Sequence, residues 1–133
     1  MDLKKALLNS SFLCSLFVSS YALALSCQNP QAQTDINQCA FIALELETKK
    51  INKAYNDYMA NLNSTKKLQF KNVQLAWIKF KDLACQFEAS GVAGGSAFSM
   101  VLTSCLIKKT RERNKELEAL ANCQEGDLSC PAR

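Results

Sequence analysis

Residues 66–88 read KKLQFKNVQLAWIKFKDLACQFE, and this stretch sets the expected fold. Apolar side chains recur in it at steps of three and four residues, which is the spacing of one face of an α-helix. The members of this apolar stripe are Val73, Ala76, Trp77, Phe80, Leu83, Ala84 and Phe87. We therefore predict a helix over residues 66–88 whose stripe, Trp77 and Phe80 included, packs into the core.

A second helical pattern precedes this stretch. Thr34 is a suitable N-cap and Asp35 a suitable first-turn residue, because free backbone N–H groups at a helix start favour oxygen atoms and negative charge. The apolar positions that follow are Ile36, Cys39, Ala40, Ala43, Leu44, Ile51, Tyr55, Tyr58, Met59 and Leu62. Residues 61–65 predict a turn in which Ser64 or Thr65 caps the next helix.

A third helix is expected beyond residues 90–95, whose sequence SGVAGG interrupts the helical spacing. Ser96 is its expected N-cap. Its apolar positions are Phe98, Val101, Leu102, Cys105, Leu106, Leu117 and Leu120. No segment alternates with period two, so we predict no sheet. Short connections favour antiparallel neighbours, and the expected fold is an all-α, antiparallel three-helix bundle stapled by disulfides.

The first 24 residues have the layout of a secretory signal peptide. Lys4 and Lys5 form a basic start, an apolar run follows, and Ala22-Leu23-Ala24 matches a small-residue cleavage site. We expect cleavage after Ala24, which leaves residues 25–133 as one periplasmic or secreted domain without stable membrane insertion. An uncleaved anchor ranks lower because the apolar run is short for a span of ~30 Å. Lipidation of Cys27 also ranks lower, because the usual upstream leucine is missing.

Six cysteines remain after this cleavage, and an oxidising compartment favours three disulfides. Local spacing favours the pairs Cys27–Cys39, Cys85–Cys105 and Cys123–Cys130. The second pair would staple the glycine-rich segment. However, an antiparallel bundle places Cys39, Cys85 and Cys105 at one end, so other pairings among these three and Cys27 stay open.

The composition excludes several functional classes. The 133-residue chain carries a net charge of +4, which falls to +3 once two lysines and one aspartate leave with the signal peptide. It contains no histidine, which excludes histidine-based triads and zinc sites. No C-x-x-C spacing supports a metal or redox site, and Glu45 and Glu47 lie on different sides of a helix. We predict no catalytic residue, cofactor, metal ion or nucleic-acid partner.

Several spaced motifs carry a family resemblance. Cys27, Thr34 and Cys39 form a C-x6-T-x4-C opening, and Ile51-Asn52-x-x-Tyr55 is similar to an L-N-x-x-Y step. The stretch from Gln74 through Trp77 and Asp82 to Cys85 resembles Q-x-x-W-[IL]-x-[FY]-R-D-x-x-C, with Lys81 in place of the arginine. A G-G-S turn at Gly94-Gly95-Ser96 and a C-L-x-x-x-T-x-x-R-x-x-x-L ending with Thr110 and Arg113 complete the set. Together these motifs resemble the LprI-like lysozyme-inhibitor family of small bacterial envelope proteins.

The resemblance implies a helical envelope protein that inhibits lysozyme. Our first hypothesis is a non-enzymatic binding protein that occludes the cleft of a muramidase, and the second is an adaptor that binds another envelope protein or cell-wall material. The candidate recognition residues are Gln74, Trp77, Asp82, Gly94, Gly95, Ser96, Thr110 and Arg113. The glycine turn alone indicates a tight turn more than an anion-binding nest. Because lysozymes are basic, Glu45, Glu47 and Asp57 are candidates for a local acidic patch.

Overall fold

The computed structural model describes residues 27–124, 126–128 and 130–131, so the predicted signal peptide lies outside the described residues. Three α-helices follow one another: α1 (Gln33–Ala60), α2 (Ser64–Ala89) and α3 (Phe98–Ala121), with a 3₁₀ turn at Ser90–Val92. No strand occurs in the described part of the chain. The prediction of an all-α, three-helix fold is confirmed.

The helix ends differ from the expected caps. α2 begins at Ser64, two residues before the expected start, and its N-cap is neither Ser64 nor Thr65. The cap is Asn63, whose side chain accepts a hydrogen bond from the backbone N–H of Lys66 at 3.0 Å. α1 begins at Gln33 without a side-chain cap, so Thr34 lies inside the helix. α3 begins at Phe98 after a turn closed by the Phe98 N–H and the Gly95 carbonyl at 3.1 Å, so Ser96 does not cap it.

Helix α3 packs against both other helices. Gln33, at the start of α1, lies 3.8 Å (Nε2 to Sδ) from Met100, at the start of α3. Further along both helices Glu47 contacts Arg111, so α1 and α3 run parallel. Helix α2 runs antiparallel to α3, because Cys85 bonds Cys105 near one end and Gln74 contacts Arg113 nearer the other. Consecutive helices are therefore antiparallel, as expected.

Helices α1 and α2 meet close to the turn that joins them. The Tyr55 ring stacks on Phe70 with centroids 5.5 Å apart, and Tyr58 meets the same ring edge-on at 4.8 Å. These aromatic pairs close the turn end of the bundle. Among the described residues, the buried apolar ones are Ile51, Tyr58, Leu62, Cys85, Ala89, Cys105 and Leu117.

The predicted core stripe of α2 is the main error of the sequence interpretation. Phe87 is 80% exposed and Phe80 62% exposed, and Leu83 and Val73 are also exposed. We call these four residues the outer stripe. The covered side of α2 instead carries Gln74, Cys85 and Ala89, and the half-buried Trp77 lies beside it.

The physical reason is the crosslink between α2 and α3. Gln74 and Cys85 are eleven residues apart, or about three helical turns, so they lie on the same face. The Cys85–Cys105 bond turns this face toward α3. The outer stripe lies roughly a third to a half of a turn away around α2, and its four side chains stay exposed, although Lys109 of α3 lies over the Phe80 ring.

Three disulfides hold the bundle and its ends. Cys27–Cys39 joins the N-terminal arm to α1, Cys85–Cys105 joins α2 to α3, and Cys123–Cys130 closes a loop after α3. This connectivity is the one that local spacing favoured. In the described part of the chain, no helix is both long enough and apolar enough to cross a membrane.

Candidate functional site

A loop of small residues connects α2 to α3, and we call residues 90–97 the tip. The Ala93 N–H donates to the Ser90 carbonyl at 3.2 Å, and the Gly95 N–H donates to the Val92 carbonyl at 3.1 Å. Gly94 adopts a φ of 78°, a left-handed conformation that favours glycine. These bonds fold the tip into successive tight turns, and residues 90–96 are all exposed.

The tip is anchored at its base. The Cys85–Cys105 disulfide joins the helices on its two sides, and the Asn37 side chain of α1 donates to the Ser96 carbonyl at 3.4 Å. No charged residue occurs from position 89 to position 107. The tip is therefore a thin, uncharged projection on a crosslinked frame.

The outer stripe of α2 leads up to this tip. Phe87, its most exposed member, precedes the tip by three residues, and the Ser90 hydroxyl donates to the Phe87 carbonyl at 2.7 Å. Nearer the middle of the helix, the Lys109 ammonium lies 5.6 Å from the centre of the Phe80 ring and 3.2 Å from Glu88. Tip and stripe together form one surface that is mostly apolar.

Several predicted recognition residues are buried between α2 and α3 instead of lying on the surface. The Nε–H of Arg113 donates to Oε1 of Gln74 at 3.2 Å, and its Nη1 donates to Glu116 at 2.7 Å. The guanidinium carbon lies 5.9 Å from the ring centres of both Phe70 and Trp77. Buried Gln74 and Arg113 thus form one contact network with half-buried Trp77, which indicates a structural role.

The remaining predicted residues lie elsewhere. Thr110 on α3 is 1% exposed, and its hydroxyl has no partner among the described residues. The Asp82 carboxylate is about half exposed and pairs with the neighbouring Lys81 at 3.3 Å, while Lys81 also lies 5.4 Å from the Trp77 ring centre. Of the predicted candidates, only Gly94, Gly95 and Ser96 form an exposed structural feature together.

The proposed acidic patch does not form. Glu47 is buried, and its Oε1 accepts hydrogen bonds from Arg111 at 3.0 Å and from Lys50 at 3.1 Å. The Arg111 hydrogen bond lowers the pKa of Glu47 from its ordinary value, against the opposing effect of burial, and Lys50 lowers it further. Asp57 pairs with Lys53 at 2.6 Å, so of these three acids only Glu45 is exposed and without an ion pair among the described residues.

The sequence analysis placed the outer stripe in the core and did not identify it as an exposed surface. One signal could have revealed it, since Gln74 and Cys85 share a face that does not contain Phe80 or Phe87. A cysteine expected to form an interhelical bond marks the inward side of its helix. Across the described ranges, no group of three acidic or cysteine side chains is placed to hold a metal ion.

Comparisons with known proteins assign the chain to a family. The family model of the lysozyme inhibitor LprI matches residues 26–117. An uncharacterized protein of Rhizobium meliloti (strain 1021) is 29% identical over 112 residues, which cover 74% of this chain and 81% of that protein. No solved structure matches the chain. Because the family model spans more than half of its residues, the chain belongs to the LprI lysozyme-inhibitor family.

Proposed function

We propose that this protein is an envelope-located inhibitor that blocks a muramidase by inserting the tip into the substrate cleft. The observation that carries the proposal is the uncharged, glycine-rich tip on a disulfide-held frame, in a chain of a lysozyme-inhibitor family. Loops on a rigid scaffold are common recognition elements, because the scaffold limits the entropy lost on binding.

The chemistry of a muramidase cleft favours such a tip. Glycoside hydrolases place two carboxyl groups on either side of the bond that they cleave. An acidic side chain on the inhibitor would be repelled there, and the tip carries none. Gly91, Gly94 and Gly95 also keep the loop thin enough for its backbone N–H groups to approach those carboxyl groups.

The outer stripe supplies the second part of the proposed contact. Exposed apolar patches on a soluble protein mark protein interaction sites. Phe87, Leu83 and Phe80 extend from the tip along α2, so they would pack on the rim of the cleft while the tip occupies it. The positive net charge gives no long-range attraction to a basic lysozyme, and burial of this apolar surface would provide the affinity.

The proposed location of the protein rests on the predicted signal peptide and on the cysteines. We propose that residues 1–24 are removed and that the protein acts in the periplasm or outside the cell, where disulfides persist. The Cys27–Cys39 bond supports simple cleavage, because a lipidated Cys27 would have no thiol left to form it. Mass measurement of the purified mature chain should show Leu25 as its first residue. A mature chain that retains residues 1–24 would contradict this part.

A turbidity assay with oxidised protein and several lysozyme types tests the inhibition. We expect the wild type to slow cell-wall lysis at micromolar concentration. Gly91→Trp should abolish the effect, since a Cβ at Gly91 meets no atom within 4 Å and the added ring would therefore block insertion without disturbing the fold. The matched control is Lys67→Trp, which adds the same exposed ring at the opposite end of α2.

Two outcomes decide against the mechanism. Full inhibition by the Gly91→Trp variant would show that the tip does not enter the cleft. If the wild type inhibits none of the lysozymes, the inhibitor role fails as well. Specific recovery of another envelope protein through the outer stripe would then favour an adaptor role.

A further inference from the structure

A small pocket lies between α1 and α2, on the turn side of the bundle and away from the tip. Its volume is about 190 Å³, and its lining residues are Asn52, Tyr55, Lys71, Gln74, Leu75 and Ile78. Gln74 and Ser90 are 16 residues apart, which corresponds to roughly 24 Å along α2. Phe80 of the outer stripe follows Ile78 by two residues, or roughly 200° around the helix, so it lies on the opposite side of α2. The pocket is therefore separate from the surface assigned to muramidase binding.

The side chain of Gln74 has a fixed orientation in this pocket. Arg113 has only hydrogen-bond donors, so the atom that accepts from its Nε at 3.2 Å must be the amide oxygen of Gln74. Glu116 and the flanking rings of Phe70 and Trp77 hold the guanidinium in place. The amide nitrogen of Gln74 consequently points away from Arg113.

This nitrogen is an unused donor. Gln74 is 8% exposed, and its Nε2 makes no hydrogen bond within the described residues, although the oxygen of the same amide is paired. Gln74 also lines the pocket, so the N–H₂ group is the end of its amide that remains available to a molecule bound there. Because Arg113 already fixes the amide, this nitrogen can donate to a ligand oxygen with little further loss of side-chain entropy.

The rest of the lining favours an anion with a small apolar group. Lys71 is the single charged residue of the lining, no acid accompanies it, and it has no ion-pair partner in the described chain. Tyr55 is held in position by its stack on Phe70. Leu75 and Ile78 supply an apolar wall, 54% and 38% exposed respectively.

We propose that this pocket binds the terminal carboxylate of a short peptide that ends in a small apolar residue. The carboxylate accepts from the Gln74 amide and pairs with the Lys71 ammonium, as charge-assisted hydrogen bonds favour. The small side chain next to it contacts Leu75 and Ile78. At roughly 30 Å³ per water, the pocket holds about six water volumes, which suits an end group better than a whole peptide.

The test is an NMR titration of the oxidised mature chain with N-acetyl-alanyl-alanine. Saturable shifts are expected at the side-chain amides of Gln74 and Asn52, with a dissociation constant in the millimolar range. The same peptide with an amidated C-terminus should bind about tenfold more weakly, because it has lost the charge. Equal binding of both peptides, or no saturable shift with either, would overturn the proposal.

Three variants separate binding from folding. Gln74→Glu keeps an acceptor for Arg113 but replaces the pocket donor with an oxygen, so peptide affinity should fall at least tenfold. Lys71→Gln should lose about fivefold and most of the salt dependence. Asn52→Asp places a negative charge at the pocket edge and should also weaken binding. Lys67→Gln is the matched control, since Lys67 is exposed on the same helix and outside the pocket.

The binding test remains decisive if one variant does not fold. If Gln74→Glu does not fold, Lys71→Gln and Asn52→Asp carry the test, and wild-type affinity in both overturns the proposal. Because the pocket is separate from the tip, Lys71→Gln should inhibit lysozyme as the wild type does. Peptide binding and muramidase inhibition can therefore fail independently of each other.

Discussion

Arg113 of α3 and Gln74 of α2 share a buried hydrogen bond of 3.2 Å, and both side chains are 8% exposed. Burying a guanidinium costs free energy unless its surroundings replace water. Here Phe70 and Trp77 face it and Glu116 accepts from Nη1, while Nη2 has no hydrogen-bond partner among the described residues. The contact joins α2 to α3 in the half of the bundle that the Cys85–Cys105 crosslink does not reach. It also sets the orientation of the Gln74 amide.

Replacing Arg113 with lysine should destabilise the fold. Lysine keeps the charge but lacks the planar fork that contacts Gln74 and Glu116 together, and it leaves the Gln74 oxygen without its donor. We expect a loss of about 2–4 kcal/mol in the free energy of unfolding, measured by urea denaturation under oxidising conditions. The control is Lys108→Arg at an exposed position of the same helix. Equal stability of Arg113→Lys and wild type would show that the network contributes little.

The Glu47–Arg111 contact should make stability depend on pH. Because the folded-state pKa of Glu47 lies below its ordinary value of 4.5, the contact stabilises the fold above that pH. The stabilisation is lost as the pH falls through the lowered folded-state value, when the carboxylate takes up a proton. Glu47→Gln should therefore lower the unfolding temperature at pH 7 and much less at pH 3. Parallel curves for variant and wild type across this range would contradict the assignment.

Two of the disulfides should differ in how much they contribute to the free energy of unfolding. The Cys85–Cys105 bond closes a loop with a sequence separation of 20 and is buried at Cys85, so its removal should cost roughly 3 kcal/mol or more. The Cys123–Cys130 bond spans 7 residues in an exposed tail, and its removal should cost about 2 kcal/mol or less. Double-alanine variants compared by urea denaturation check this order, and the reverse order would argue against it.

The outer stripe should matter for binding and not for folding. Phe87→Ser is expected to change the free energy of unfolding by no more than about 0.5 kcal/mol, because the ring is already 80% exposed. Leu117→Ala, at a position 1% exposed, should cost about 3 kcal/mol. In the turbidity assay, Phe87→Ser should weaken inhibition about tenfold. A stability loss as large as that of Leu117→Ala would place Phe87 in the core after all.

The sequence determined the helices themselves. Steps of three and four residues are local signals, and the break at residues 90–95 is local too, so the number, order and approximate bounds of α1, α2 and α3 followed from them. The caps were less well predicted. Asn63 and Ser64 are adjacent polar residues that could both cap α2, and the choice of Asn63 depends on backbone geometry that spacing does not encode.

Only the tertiary structure decided which side of α2 faces inward. Helix α2 has two faces that could be buried, one rich in large apolar residues and one containing Gln74 and Cys85. Hydrophobicity alone favours burial of the first face. The second is buried because Cys85 bonds Cys105 and Gln74 accepts from Arg113, and both partners lie on another helix. Local periodicity does not specify the partners of a helix face, so the exposed stripe and the Gln74 pocket emerged only once α3 was in place.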